Sequence, residues 1–182
     1  MRSLFFKDFI IFQRGFDLPR REMIEGIYPV VGSASIVGYH NQYKKEGYEK
    51  FQLKVGGHYQ DDIERIIQVD SILNDSNILV ADANTGWKTH EALKVIDKTC
   101  HLNIYYEQPC ETYNECLLIR EKNNRPFILD ESIFSLNSFL TAYKDNAMDI
   151  INLKISKLGG LTKSKQIRDL CVELNIPMTI ED

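Results

Sequence analysis

Five ionisable residues recur along the chain at nearly constant intervals, each at the end of a short run of apolar and β-branched residues: Lys54, Asp82, Glu107, Asp130 and Lys154. The successive differences between these residue numbers are 28, 25, 23 and 24. Three carboxylates brought together repel one another, and a hard divalent cation with oxygen ligands relieves that repulsion. A lysine beside such a cation can have its pKa lowered enough to transfer protons. The pattern therefore predicts a metal-assisted proton-transfer site.

The runs that carry these residues are typical of strands, and the segments between them are typical of amphipathic helices. Seven strands are expected over VVGSASI, KFQLKV, ILVADAN, NIYYEQP, PFILDES, DIINLKI and PMTIED. Five helices are expected over DDIERIIQVDSIL, THEALKVIDKT, TYNECLLIREK, SLNSFLTAYKDN and LTKSKQIRDLCVEL. Asp61, Thr89 and Thr162 are expected to act as N-caps for three of these helices.

This alternation of strands and helices predicts an α/β fold with parallel strands joined by right-handed crossovers. Two architectures share it, the open doubly wound sheet and the closed (β/α)8 barrel. The chain has no G-x-G-x-x-G or G-x-x-x-x-G-K-[ST] loop after the first predicted strand. A barrel places the ends of many strands around one mouth. Because five successive strands end in ionisable residues, the barrel is favoured.

The period of two within each strand places the charged end residue on the same face as inward-pointing side chains. Asp82, for example, shares its face with Val80. Lys54 and Lys154 lie four predicted strands apart, so in an eight-stranded ring they face each other across the mouth, with the carboxylates between them. Lys157 is expected to help lower the pKa of its neighbour Lys154. The two glycines after Lys54 let the chain leave its strand at close quarters.

The composition limits the classes of partner. Hydrophobic residues make up 43% of the chain, and the net charge of −4 provides no basic field, which argues against nucleic acid or an anionic membrane as the main partner. Lys7 and Asp8 interrupt the apolar opening segment, unlike the core of a secretory signal. The four cysteines form no C-x-x-C pair and are typical of reduced thiols in a cytoplasmic protein. A small-molecule substrate fits these properties best.

Five motifs in this order, FQLKVGG, VADANTGW, YYEQP, LDES and INLKISKLGG, resemble the barrel domain of the enolase superfamily, in the mandelate racemase and muconate lactonizing enzyme group. The resemblance covers about residues 29 to 182. Within the group, the chain looks most like epimerases of proline derivatives and hydroxyproline dehydratases. The resemblance implies a small carboxylate substrate, and full-length relatives that form homo-oligomers.

The resemblance also implies a role for each strand-end residue. Asp82, Glu107 and Asp130 match the ligands of Mg²⁺, for which Mn²⁺ is the alternative, and Lys54 and Lys154 match two opposed bases. Four further residues are expected around these groups: Gln52, Asn84, Glu131 and Lys157. Gln52 stands where many members of the group carry a lysine, a departure that leaves the detailed substrate open.

The implied chemistry begins with a substrate carboxylate bound to Mg²⁺. One lysine removes the proton α to that carboxylate, and the cation stabilises the resulting enediolate. Proton delivery to the opposite face by the second lysine gives racemisation or epimerisation of a proline-type amino acid derivative, which is the favoured outcome. Assisted departure of a β-hydroxyl gives dehydration of a hydroxyproline-type acid, which is the alternative.

The length of the chain leads to an expectation about its domains. A full barrel has about 250 residues, whereas residues 29–182 contain about seven predicted strands. We expect residues 1–28 to be a remnant or linker segment, and residues 29–182 to be an incomplete barrel domain that lacks the capping domain and the last strand. A non-catalytic truncated fragment is therefore an alternative function. An unrelated α/β binding protein is a third, disfavoured by the ordered motifs.

Overall fold

The computed structural model describes residues 28–31, 36–40 and 49–181. The strands in these ranges are β1 Tyr28–Val31, β2 Ile36–His40, β3 Lys50–Lys54, β4 Ile78–Asp82, β5 Ile104–Glu107, β6 Phe127–Leu129, β7 Ile150–Lys154 and β8 Met178–Glu181. The helices are α1 Tyr59–Asp70, α2 Thr89–Thr99, α3 Tyr113–Glu121, α4 Leu136–Lys144 and α5 Leu161–Glu173.

Strands β3 to β8 form one six-stranded parallel sheet in which each strand pairs with the next in chain order. A helix follows each strand from β3 to β7 and returns the chain to the start of the next strand. Because the strand order never reverses, the sheet lacks the switch point of a doubly wound fold. The sheet curls into part of a barrel, which confirms the predicted α/β fold with a partial (β/α) barrel.

The first predicted strand, residues 30–36, lies only partly in the described part of the chain, since residues 32–35 fall outside it. Strands β1 and β2 pair antiparallel, with Tyr28 opposite His40, and they form a separate two-stranded sheet. Only residues 32–35 separate them, whereas the connection between parallel strands needs a dozen or more residues. The described residues therefore contain six parallel strands instead of about seven, and β3 lies at one edge of their sheet.

Three helices begin earlier than their expected N-caps indicate. The residues expected as caps lie inside the first turn of their helices: Asp61, Thr89 and Thr162. The N-cap positions are occupied instead by His58, Lys88 and Gly160. The backbone nitrogen of Lys88 donates to Glu91 Oε2 at 2.9 Å. The N–H group at the N-cap position of α2 therefore has a hydrogen-bond acceptor within the helix.

The two faces of the parallel sheet have different surroundings. Side chains on one face pack against the helices and form the hydrophobic core, among them Leu53, Leu79, Tyr106, Phe127 and Ile151. The alternate side chains point to the concave face of the curl, because successive residues of a strand point to opposite sides. The residues on the concave face include Gln52, Lys54, Val80, Asp82, Glu107, Ile128, Asn152 and Lys154. This agrees with the alternation expected from the sequence.

The cysteines agree with the expectation of reduced thiols. All four are free, and Cys110, Cys116 and Cys171 are buried. Burial raises the pKa of the Cys171 thiol to about 11, so this group stays protonated and unreactive at neutral pH. Within the described ranges, no helix combines the length and the apolar character that crossing a bilayer requires.

Candidate functional site

Three carboxylates lie at the ends of consecutive strands on the concave face. Asp82 ends β4, Glu107 ends β5 and Asp130 directly follows β6. Each of the three residues is only 2% exposed, and Asp82 and Glu107 are direct partners in the strand register. The structure therefore brings the three predicted metal ligands to the same end of the sheet.

Gln52 on β3 lies beside the first two of these carboxylates. Its Nε2 donates to Asp82 Oδ2 at 3.1 Å and to Glu107 Oε2 at 3.0 Å. Two buried carboxylates side by side are unfavourable unless polar hydrogens face them. The amide of Gln52 supplies such hydrogens without adding a charge. A lysine at this position would add a positive charge.

Lys54, the last residue of β3, forms an ion pair with Asp82 Oδ2. The side chain of Lys54 is 45% exposed and that of Asp82 is 2% exposed, so the ammonium group lies at the opening and the carboxylate lies inside. The backbone nitrogen of Val55 donates to the carbonyl oxygen of Asp82 at 2.8 Å, which joins the ends of β3 and β4. The predicted proton-transfer lysine is thus held beside a predicted metal ligand.

Asp130 is contacted by two lysines. Lys154 Nζ lies 2.5 Å from Oδ2 of Asp130, and Lys157 Nζ lies 2.5 Å from Oδ1. Lys157 also donates to the carbonyl oxygen of Asp130. Burial acts to lower the pKa of Lys154, but the hydrogen bond and the charge of Asp130 outweigh it, and the pKa lies above its ordinary value. The sequence predicted a lowered pKa for Lys154, because it placed a bound cation beside the lysine. The raised pKa is the opposite of that expectation.

Glu107 has an unusual pKa for a carboxylic acid. Burial and then the negative charge of Asp82 raise the pKa of Glu107 to about 7, while the hydrogen bond from Gln52 opposes this rise. Asn152 Nδ2 donates to the other carboxylate oxygen, Oε1. Asn152 was not predicted as a site residue, although it lies two positions before Lys154 and therefore on the same face of its strand.

Asn84 contacts Asp82, near which it was expected. Its backbone nitrogen donates to Asp82 Oδ1 at 2.9 Å, and its side-chain amide donates to the same oxygen. Asn84 and Thr85 have φ angles of 45° and 67°, values in the left-handed region that asparagine tolerates better than β-branched residues. The chain thus turns sharply around the Asp82 carboxylate.

Glu131 follows Asp130 and is partly buried. Its Oε2 has no hydrogen-bond partner in the described part of the chain. Burial, followed by the charge of Asp130, raises the pKa of Glu131. A buried carboxylate oxygen without a partner is a group that a cation or a polar substrate would satisfy.

A buried glutamine positions the loop that carries Asp130. Gln108 is fully buried, and its Oε1 accepts hydrogen bonds from the backbone nitrogens of Asp130 at 3.1 Å and Ser132 at 3.2 Å. Its Nε2 donates to Ser132 Oγ at 2.8 Å and to the carbonyl oxygen of Cys110 at 3.1 Å. The sequence did not predict this role, and the only signal was the position of Gln108 directly after Glu107.

The three carboxylates fit a divalent cation in their chemistry. They supply buried oxygen ligands of the kind Mg²⁺ prefers, and the raised pKa of Glu107 reflects burial and repulsion that a cation would relieve. As the side chains stand, however, no three acidic, histidine or cysteine residues within the described ranges form a group that could hold a metal ion.

The expected convergence of the carboxylates on one point is therefore not met by these side-chain positions. Asp82 is paired with Lys54, and Asp130 is paired with Lys154 and Lys157. Their role as metal ligands stays a prediction.

The chain is similar to known proteins along most of its length. Residues 38–182 match the family model described as Enolase C-terminal domain-like. The cis-3-hydroxy-L-proline dehydratase of Roseibium aggregatum is 56% identical over 140 residues, which are 77% of this chain and 38% of the dehydratase.

Solved structures share the fold. The mandelate racemase/muconate lactonizing enzyme from Roseovarius nubinhibens ISM matches with a TM-score of 0.71 and 37% identity, over 72% of this chain and 37% of that one. The dipeptide epimerase from Cytophaga hutchinsonii, in complex with Mg and the dipeptide D-Ala-L-Val, matches with a TM-score of 0.68 and 31% identity, over 75% of this chain and 38% of that one.

The extent of these matches confirms the resemblance seen in the sequence motifs. The chain spans less than two fifths of the length of each of these relatives. Within that span, the solved relatives share the partial barrel fold. The chain belongs to the Enolase C-terminal domain-like family, in the mandelate racemase/muconate lactonizing enzyme group of the enolase superfamily.

Proposed function

We propose that this site removes the proton α to a carboxylate with the help of Mg²⁺, and that it epimerises a proline-type amino acid derivative. One observation carries the proposal: Lys54 and Lys154 end β3 and β7 of the same curled sheet, and three buried carboxylates lie at the strand ends between them. The two amino groups therefore approach the space in front of the carboxylates from different sides. Inversion of a stereocentre needs proton-transfer groups on both sides of one carbon.

Asp82, Glu107 and Asp130 would hold the metal, with Mn²⁺ as the alternative to Mg²⁺. When bound, a divalent cation supplies positive charge that stabilises the negative charge developing on a substrate carboxylate. The oxygen-only donors of this chain support the assignment, as does the magnesium in the dipeptide epimerase complex. Gln52 and Asn152 would keep the Glu107 carboxylate oriented, because each donates to one of its oxygens.

Each lysine must be a neutral amine to accept a proton. Burial acts to lower the pKa of Lys154, and its hydrogen bond with Asp130 raises it. If the Asp130 carboxylate turned towards a metal, Lys154 would lose its hydrogen bond and its nearest negative charge, and its pKa would fall, while the charges of Glu131 and Glu181 would still act to raise it. Lys157 can still donate to the carbonyl oxygen of Asp130 and hold the strand end in place.

A second outcome, dehydration of a hydroxyproline-type acid, is favoured by the 56% identity to a cis-3-hydroxy-L-proline dehydratase. In this reaction one lysine takes the α proton, and the electron pair left on the α carbon forms a double bond to the β carbon. The β-hydroxyl takes a proton from the other, protonated lysine and leaves as water. The same two lysines serve both outcomes, and a β-hydroxyl on the substrate distinguishes them.

Proton NMR in D₂O tests the proposal. The purified chain is incubated with Mg²⁺ and, separately, L-proline, trans-4-hydroxy-L-proline or cis-3-hydroxy-L-proline. Loss of the α-proton signal shows proton abstraction, signals of the opposite α configuration show epimerisation, and an unsaturated product shows dehydration. We expect EDTA to abolish the exchange. A folded chain that exchanges no α proton at saturating Mg²⁺ would contradict the proposal and favour the non-catalytic alternative.

A further inference from the structure

Asp62 is a fully buried carboxylate in the first turn of α1, outside the set of residues described above. Its Oδ2 accepts hydrogen bonds from the backbone nitrogens of Gly56 at 3.0 Å and Gly57 at 2.9 Å, and from Trp87 Nε1 at 2.8 Å. Its Oδ1 pairs with Arg65. A buried carboxylate is costly unless hydrogen-bond donors surround it. Here the donors are supplied mainly by two loops, which the carboxylate holds together.

Both loops leave strands that carry predicted site residues. The two glycines follow Lys54 at the end of β3, and Trp87 follows Asp82 at the end of β4. In the described residues, the hydrogen bonds that the Asp62 side chain accepts come from these loops and from α1. Lys154 and Asp130 are held by a different set of contacts, at the ends of β6 and β7.

The two loops pack backbone against backbone. A Cβ atom added to Gly56 would lie 2.1 Å from the carbonyl oxygen of Ala83, and one added to Gly86 would lie 2.2 Å from the carbonyl oxygen of Gly56. Gly56 also has a φ angle of +94°, a region that favours glycine. Because no side chain cushions this contact, a shift of one loop must displace the other.

We infer that Asp62 is a positioning residue that sets the place of Lys54 relative to Asp82. We call Asp62 with Gly56, Gly57 and Trp87 the Asp62 clamp. By joining the loops that follow β3 and β4, the clamp holds the ends of both strands at one separation. An effect of the clamp on proton transfer rests on the proposed function. Its effect on the position of the Lys54 side chain does not. Because the clamp holds only one side of the site, its loss should affect Lys54 more than Lys154.

Asp62→Asn is the test variant, since it keeps the shape of the side chain but removes the charge and replaces one acceptor with a donor. Asp149→Asn is the matched control. Asp149 also accepts a backbone hydrogen bond, from Phe127 at 2.8 Å, and a bond from Arg120 Nη2 at 2.7 Å. These contacts lie at the opposite ends of the strands from the site.

Two measurements require no activity. In Asp62→Asn we expect the amides of Gly56 and Gly57 to exchange with solvent at least about tenfold faster than in the wild type. With lysine labelled with ¹³C at Cε, we expect the Lys54 resonance to shift and the Lys154 resonance to stay in place. Asp149→Asn should change neither. Wild-type protection of both glycines, or an unmoved Lys54 resonance in Asp62→Asn, would overturn the inference.

Exchange of the α proton in D₂O provides a third measurement. In Asp62→Asn, the enantiomer whose exchange depends on Lys54 should lose about tenfold more rate than the enantiomer that depends on Lys154. Equal losses for both enantiomers would overturn the inference, because general destabilisation has that effect. A wild-type chain that exchanges no substrate would count against the proposed function alone, and the amide and ¹³C measurements would then decide the role of Asp62.

Trp87→Phe serves if Asp62→Asn does not fold. It removes one donor from the clamp and keeps both the carboxylate and an aromatic ring. The Lys54 resonance should move, and the Gly56 and Gly57 amides should exchange faster than in the wild type. Both changes should be smaller than those expected for Asp62→Asn. Wild-type values for both measurements would contradict the inference.

Discussion

Asn152 on β7 donates a hydrogen bond to Glu107 on β5, two strands away in the sheet. Neighbouring strands lie about 4.8 Å apart, so in a flat sheet these two strands would be separated by about 10 Å. Two short side chains meet across that distance because the sheet curls and brings its concave-face residues together. The curvature makes one site from strand ends that are far apart in the sequence.

Glu107 should make the stability of the chain depend on pH. Its pKa of about 7 in the folded state lies above the ordinary value of 4.5, so the folded state binds a proton that the unfolded state releases. The stabilisation is fully present below about pH 4.5 and is lost as the pH rises through about 7, and it amounts to about 3 kcal/mol at most. Urea unfolding should therefore show a smaller stability difference between pH 5 and pH 8 for Glu107→Gln than for the wild type.

Glu111→Gln is the control for this pH dependence, because Glu111 is exposed. It should keep the wild-type difference between the two pH values. If Glu107→Gln and Glu111→Gln both retained the full wild-type difference in stability between pH 5 and pH 8, the protonation of Glu107 would not contribute to the stability of the fold.

Divalent metal binding should depend on the three strand-end carboxylates as a set. Asp82→Asn, Glu107→Gln and Asp130→Asn should each weaken Mg²⁺ binding by at least about 100-fold, since even groups that only support metal ligands contribute 10-fold to about 100-fold. Asp75→Asn, at an exposed position, should bind as the wild type does. Calorimetric titration of the folded variants measures these affinities, and four equal curves would remove the metal site.

The two lysines should act on different enantiomers. Lys54→Ala should lower α-proton exchange of one enantiomer in D₂O by at least about 100-fold and leave the other partly intact, because each lysine handles the proton on its own side. Lys154→Ala should show the reverse preference, and epimerisation should fail in both variants. Proton NMR distinguishes this from a purely electrostatic role of Lys154, in which exchange of both enantiomers falls together.

Gln108 should stabilise the fold through the loop that carries Asp130. Gln108→Ala leaves the backbone nitrogens of Asp130 and Ser132 without the oxygen that accepts from both. Unsatisfied buried groups cost about 1 to 3 kcal/mol each, so for these two nitrogens we expect a loss of about 2 to 6 kcal/mol in urea unfolding. Gln68→Ala, at an exposed position on α1, should be nearly neutral. A loss below about 0.5 kcal/mol in Gln108→Ala would show that the loop holds Asp130 without it.

The two glycines after Lys54 should differ sharply in tolerance to alanine. Gly56→Ala places a Cβ atom 2.1 Å from a backbone oxygen at a φ angle of +94°, so it should destabilise the chain by about 3 kcal/mol or more. The nearest atom to a Cβ at Gly57 is Arg65 Nη2 at 4.0 Å, so Gly57→Ala should cost less than about 1 kcal/mol. Thermal unfolding of the two variants measures the difference, and equal losses would show that the close approach of the loops adjusts easily.

Local sequence was sufficient to predict the order of the strands and helices from β3 onward. The alternation in ILVAD placed Asp82 on the concave face, and the alternation in INLK placed Lys154 there, because strand faces follow from backbone geometry over a few residues. The spacing of the strand-end groups predicted a barrel by the same local reasoning. The antiparallel pairing of β1 with β2 was not predicted, because pairing depends on the partner strand and the connection length as well as on the composition of one run.

Only the tertiary structure decided the partners of the charged groups. The sequence placed Lys54 and Asp130 at strand ends, but their contacts with Asp82 and with two lysines depend on which strand ends meet when the sheet curls. Asp62 and Gln108 are ordinary polar residues in the sequence, and they become buried because loops from separate strands close over them. The faces of a strand are a local property of the backbone, whereas the burial and hydrogen bonding of a polar group depend on every segment packed around it.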